Sequence, residues 1–275
     1  MQFSLGDAIT EAFERLTTSA GAIFVVVLTV IGIIQTAAIQ DLIRAMLEGF
    51  LAVLNDPEFR EQVAAEDLQE LEAAEQEINT VIGELSLSVG LSPGLAALVL
   101  LLAFILSIVI VVVAIDTFTN RRDSLGGIQT PRIGWKTLNL FVGWIAFGIL
   151  FVIGLILLVI PGILVGIFLV FFAAAIVIDD ESFISAFASS FQVVRSNIAG
   201  TLGLVLLLLG TFIGLGFVGS AFGVILPEIL SVLVSNLLTG IGQVFAIALV
   251  ALAYADATTE DPQPVDTDPT GFTES

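Results

Sequence analysis

Cysteine and histidine are both missing from the 275 residues. Their absence excludes disulfides, thiolate nucleophiles, Cys/His zinc sites, haem-ligating histidine and every histidine-based acid–base scheme. Lysine occurs once, at Lys136, and charged residues of both signs make up only 13% of the chain. Carboxylates, hydroxyls and a few arginines are what remains for chemistry.

What the chain has in abundance is hydrocarbon. Apolar residues make up 57% of it, the mean hydropathy is +1.08, and the apolar residues are gathered into long runs. A soluble domain of this length would leave much of that surface in water, whereas lipid removes the problem. Charge is lopsided: 27 acidic residues stand against 8 basic ones, a net −19. So acidic a surface repels nucleic-acid backbones, which excludes DNA and RNA as partners, and its self-repulsion calls for concentrated salt to screen it.

The opening residues do not form a secretory signal, because Asp7, Glu11 and Glu14 outnumber Arg15 where a signal peptide is basic. Leu5, Ala8, Ile9, Ala12, Phe13 and Leu16 recur at helical spacing, which predicts an amphipathic helix lying at the membrane interface. Six apolar runs then approach the roughly 20 residues that a bilayer core requires: residues 20–39, 95–115, 138–160, 163–178, 201–226 and 230–254. Between the first two lies an acidic helical hairpin, 41–90. In it Asp56 is expected to cap a helix with Pro57 at its first position, and Glu75 interrupts an apolar stripe of Leu68, Leu71, Ile78, Ile82 and Leu85. Pro161-Gly162 predicts a tight turn between the third and fourth spans. Residues 256–275 are acidic and poor in apolar surface, which predicts a disordered tail after a membrane domain of residues 1–255. The fold class is therefore an all-α, polytopic membrane helix bundle with two interfacial helices and an external acidic hairpin. With the N-terminus inside, Arg15, Arg121, Arg122, Arg132, Lys136 and Arg195 fall on inner segments and only Arg44 and Arg60 on outer ones. This places both termini in the cytoplasm of a cell-membrane protein.

The second amphipathic segment matches the first in register: Phe183, Ala186, Phe187, Ser190, Phe191 and Val194 follow the same spacing and also lead into a span. The pattern predicts a repeated unit of interfacial helix and helical pair. Within residues 161–197, Pro161 and Gly162 are followed by Phe171, an acidic exit at Asp179, and Ser182, Ala186, Ser190, Val194 and Asn197. This stretch resembles the membrane domain of glycerophosphoryl diester phosphodiesterases, and is similar to related uncharacterised multi-pass membrane proteins of halophilic archaea. The resemblance implies a membrane-embedded structural module. The soluble phosphodiesterase domain has no counterpart here, so the activity is not carried over.

Gly214-Leu215-Gly216-Phe217-Val218-Gly219 spells the dinucleotide fingerprint but lies within an apolar span, where the helix itself consumes the amide groups that would bind a pyrophosphate. Gly210/Gly214 and Gly219/Gly223 have instead the spacing that lets helices approach closely, which predicts the fifth span at the bundle centre. No ionisable residue falls at mid-span. Asn236, Thr239 and Gln243 make the most polar face and are the candidates for meeting a solute. Asp179, Asp180, Glu181 and Arg195 are the one cluster suggestive of catalysis, though acids before a helix more commonly stabilise its N-terminus. The favoured reading is a non-enzymatic module that handles lipid or small solutes or organises membrane partners. It has no catalytic, cofactor or metal-binding residues, and membrane lipid is its expected partner. A homo-oligomer is left open. A secondary transporter is the alternative, and an interfacial hydrolase the second alternative.

Overall fold

The computed structural model describes residues 4–64, 67–126 and 130–258, and among them there are helices and no strand. The helices are α1 (Leu5–Thr17), α2 (Ser19–Leu54), α3 (Pro57–Gln62), α4 (Leu68–Gly83), α5 (Pro93–Thr119), α6 (Ile133–Leu157), α7 (Val159–Phe168), α8 (Phe172–Ile178), α9 (Phe183–Ser196), α10 (Ile198–Ile225) and α11 (Glu228–Thr258). Six membrane-length apolar segments result, α7 and α8 together forming Val159–Ile178. The protein is a multi-pass all-α membrane bundle. Glu66 and residues 259–275 of the expected tail lie outside the described residues, and α11 continues as far as Thr258.

The chain starts with an amphipathic helix that turns abruptly into a span. Ser4 caps α1 by accepting from the Asp7 amide, and Thr18 caps α2 by accepting from the Gly21 amide at 3.1 Å. A Cβ at Gly21 would strike the carbonyl oxygens of Arg15 and Leu16, so only glycine permits this corner. The segment after α5 is pinned onto the corner: Ala20 and Ser19 both donate to the Asp123 carbonyl, and Arg15 pairs with the Asp123 carboxylate at 2.8 Å. Glu11 holds Arg121 at 2.8 Å.

At the opposite end α2 extends well beyond the apolar run. Asp56 and Pro57 start α3 in the predicted way, with Asp56 accepting from the amides of Glu58 and Phe59. The half-buried stripe of α4 folds back against α2. Arg60 explains the interrupting acid: it pairs with Glu75 and also donates to the Leu54 carbonyl at 3.1 Å. Asp41, 2% exposed, accepts from Ser88 Oγ at 2.7 Å and from the Gly90 amide at 2.8 Å. Gly90 sits at φ +79°, a left-handed conformation suited to glycine, and presents its amide to that carboxylate.

Two expectations are corrected. The turn between the third and fourth spans is at Leu158, whose backbone is extended, and Pro161 is the third residue of α7. An amide in the first helical turn has no intrahelical acceptor, so proline begins this helix instead of ending its predecessor. Gly162 instead sets the closeness of the hairpin: a Cβ on Gly154 would lie 2.8 Å from the Gly162 Cα. The bundle centre, moreover, is α11 and not α10. Of the most apolar stretch of each, 56% is buried in α11 and 11% in α10. Small residues explain the difference. Gly240 leaves no room for a Cβ against Thr29 and the Val25 carbonyl, and Ala248, Ala251 and Ala253 are fully buried.

The fourth span is broken. Between α7 and α8 the regular helical bonds give way to tighter ones, Val170 to Ile167 and Phe172 to Leu169, and Ser190 of α9 bridges the break: its hydroxyl donates to the Phe168 carbonyl at 2.8 Å and accepts from the Phe171 amide at 3.1 Å. Irregular backbone at such depth is tolerated where protein surrounds it, and Ser190 and Phe171 are both wholly buried.

Candidate functional site

Asn236, Thr239 and Gln243 lie on one side of α11, as their spacing predicts, but at different heights they meet different surroundings and do not line one site. Asn236 packs against Gly32 of α2 and accepts from Thr36 Oγ1 at 3.4 Å, so it joins two helices. Thr239 donates to the Ser235 carbonyl and opens onto a shallow groove between α10 and α11. Gly219 and Gly223 lie along that groove, where an added Cβ would meet the Ser235 and Ser231 hydroxyls at 3.1 and 3.4 Å. At Gly210 and Gly214 an added Cβ would meet nothing within 4 Å, which corrects their expected packing role. Those two glycines lie on the face that α10 turns away from α11.

Gln243 opens onto a different space, a crevice of about 470 Å3 between the spans. Leu28 and Ile31 of α2, Ile108 of α5, Ala173 of α8 and Ile247 of α11 supply its apolar wall. Its polar groups are Gln35, Ser107, Gln243 and the indole of Trp144, and among the described residues no charged one lines it. The Ser107 hydroxyl donates to the Phe104 carbonyl at 2.7 Å. Neither the Gln35 nor the Gln243 amide has a hydrogen-bond partner among the described residues. Gln35 was visible in sequence as a polar residue towards the end of a span. Ser107 carried no signal, since a serine bonded back onto its own helix is at home in any apolar run.

The acids after α8 do not converge. Asp179 accepts from the Tyr254 hydroxyl at 2.5 Å, Asp180 pairs with Arg132, and Glu181 accepts from Ser189 Oγ at 2.8 Å. Each is directed at a different part of the bundle: Tyr254 of α11, the residue preceding α6, and Ser189 of α9. Arg132 and Asp180 both have left-handed backbones, at φ 55° and 57°, so their ion pair joins two tight corners of the chain. Among the described residues no group of three or more acids could hold a metal ion. Arg195 is exposed and has no ion-pair partner among those residues. The remaining motif residues organise α9: Ser182 caps it by accepting from the Ser185 amide, Ala186 and Ser190 are its buried face, and Asn197 closes it by donating to the Val193 carbonyl at 3.1 Å. The buried stripe of α9 is thus Ala186, Ser190 and Val194, with Phe191 43% exposed beside it.

No curated protein and no solved structure matches this chain. A family described as a domain of unknown function, DUF7847, matches residues 3–257, and the chain belongs to that family.

Proposed function

We propose that this protein is a non-enzymatic membrane module that takes up lipid from the surrounding bilayer. The observation that carries this reading is the crevice: an apolar space of about 470 Å3 holding two glutamine amides that have no hydrogen-bond partner among the described residues. Its volume falls in the range of small-molecule pockets, about 300–1,000 Å3, and its composition of apolar walls with a few polar groups is typical of them. Amides facing hydrocarbon without a partner are costly, so an occupant that hydrogen-bonds them would be favoured.

The setting we infer is the cell membrane of a salt-accumulating archaeon, with both termini cytoplasmic. Arg15, Arg121, Arg122, Arg132, Lys136 and Arg195 belong to the end of the bundle where α1 and α9 lie, while the acidic α3–α4 hairpin occupies the other end with Arg44 and Arg60. In that orientation α1 and α9 border the inner leaflet, and their half-exposed Phe13 and Phe191 would meet acyl chains. The likeness of residues 161–197 to the phosphodiesterase membrane domain supports a lipid-facing role without supplying hydrolytic chemistry. A broken span also invites the transporter reading, because unwound backbone can bind ions. Here, however, Ser190 already engages the backbone at the break.

Native mass spectrometry of the full chain released from membranes is the test. Co-purifying lipid is expected on the wild type and much less on Ala246→Phe, which fills the crevice. Equal lipid on both variants, both monodisperse, would remove the crevice as the binding site.

A further inference from the structure

We infer that the crevice selects an uncharged, chain-like amphiphile whose head carries hydroxyl or carbonyl oxygens, and rejects phosphate, carboxylate and ammonium heads. The inference rests on the crevice being a lipid site and goes further by naming the class of lipid.

Shape is the first argument. α2 and α11 run antiparallel, with Gly32 facing Asn236 and Gly240 facing Val25 and Thr29. In this register Gln243 lies level with residue 25 of α2, about ten residues, or about 15 Å, from Gln35. α5 also runs antiparallel to α2, with Phe24 against Phe118, which brings Ser107 level with Gln35. The crevice is therefore long and parallel to the helices, the direction in which lipid chains lie. Trp144 of α6 and Phe212 of α10 both line it and are 38% and 40% exposed. The α6–α7 hairpin and α10 barely touch each other, so the entrance opens sideways between them. A molecule would enter from the membrane without crossing water.

Charge is the second argument. Among the described residues no Asp, Glu, Lys or Arg lines the space, and a buried ion without a counter-charge is strongly disfavoured. What the walls offer are the Gln35 and Gln243 amides, each able to donate and accept, and the Ser107 oxygen. Such groups recognise alcohols, esters and ketones. The arginines of the protein lie at the bundle ends and several are already paired, Arg15 with Asp123, Arg121 with Glu11 and Arg132 with Asp180.

Trp144 makes the occupant observable, because the only other tryptophan, Trp135, lies outside the lining and can be removed. The full-length Trp135→Phe variant in lipid nanodiscs would be titrated with a monododecanoylglycerol brominated on its chain, a tryptophan quencher. Saturable quenching is expected, displaced by unlabelled monododecanoylglycerol but not by dodecyl phosphate or dodecyltrimethylammonium at the same bilayer fraction. Replacing Gln35 and Gln243 together by leucine should weaken binding about tenfold or more, in keeping with one to two lost hydrogen bonds. Displacement by dodecyl phosphate as strong as by the glycerol ester would overturn the selection for uncharged heads while leaving the crevice a lipid site. Unchanged affinity in the double variant would overturn recognition by the amides. Quenching that never saturates with any probe would refute the lipid site itself.

Discussion

Replacing Ser190 by alanine tests how the broken fourth span is held together. The serine is fully buried, and its hydroxyl makes two hydrogen bonds to backbone, at 2.8 Å to the Phe168 carbonyl and 3.1 Å from the Phe171 amide. Alanine removes both while barely changing volume, so packing is a small part of the effect. Each such bond contributes about 0.5–1.5 kcal/mol net, so losing both costs about 1–3 kcal/mol. With about 2–4 °C per kcal/mol for a chain of this size, the melting temperature in detergent should fall by about 2–12 °C. Ser189→Ala is the control: its hydroxyl bonds the partly buried Glu181 side chain and touches no backbone break. Tryptophan fluorescence during heating is a suitable assay, since Trp144 packs against Phe172 at the start of α8, 5.2 Å between ring centres. If Ser190→Ala melts with the wild type, or no lower than Ser189→Ala, the hydroxyl does not hold the break.

Further consequences can be measured in the same preparations. Gly240→Leu should abolish folded, monodisperse protein because a side chain there collides with Thr29 and the Val25 carbonyl, whereas Gly210→Leu should express and melt like the wild type; similar behaviour of the pair would contradict the central position of α11. Asp41→Ala should release the segment at Ser88 and Gly90, seen as faster amide hydrogen exchange there with the spans still protected, and unchanged exchange would count against the carboxylate clasp. As the chain has no native cysteine, single cysteines at Glu70 and at Ser124 can be labelled in intact cells. Glu70 should react from outside and Ser124 only after permeabilisation, and the reverse pattern would invert the proposed orientation.

Much of the architecture is readable from the residues because a bilayer constrains so little else: run length gives the spans, and Asp56-Pro57 starts a helix where capping chemistry says it should. The order of helices within the bundle is not readable in that way. Glycine spacing shows how closely a helix could be approached without showing whether any neighbour does so, and so Gly210 and Gly214 misdirected the centre towards α10. The break at residues 169–171 is hidden for a related reason. Its sequence is uniformly apolar, and the group that permits it, Ser190, lies on another helix. The crevice is the least legible feature. Gln243 and Gln35 are conspicuous in an apolar chain, yet only the register of α2, α5 and α11 reveals that they share one space while Asn236 does not.

The two amphipathic helices tie these features together. Ser4 and Ser182 cap them through the same contact, to the amide three residues on, and Ala8 and Ala12 are buried at the positions of Ala186 and Ser190. Each helix then leads directly into a long span, α2 and α10. The units differ where the chain preceding the helix differs. α9 follows the α6–α8 hairpin and rests on it, whereas α1 rests on α11. Only α9 needs a hydroxyl on its buried face, because only α9 lies against an interrupted helix, and the position that is alanine in α1 is serine there. Val170 within that interruption and Ala173 just after it form part of the crevice wall. The same interruption that Ser190 stabilises therefore shapes one side of the proposed lipid site. A side chain remote from the ligand thus sets the geometry of the wall, and loosening the break should alter lipid occupancy before it unfolds the bundle.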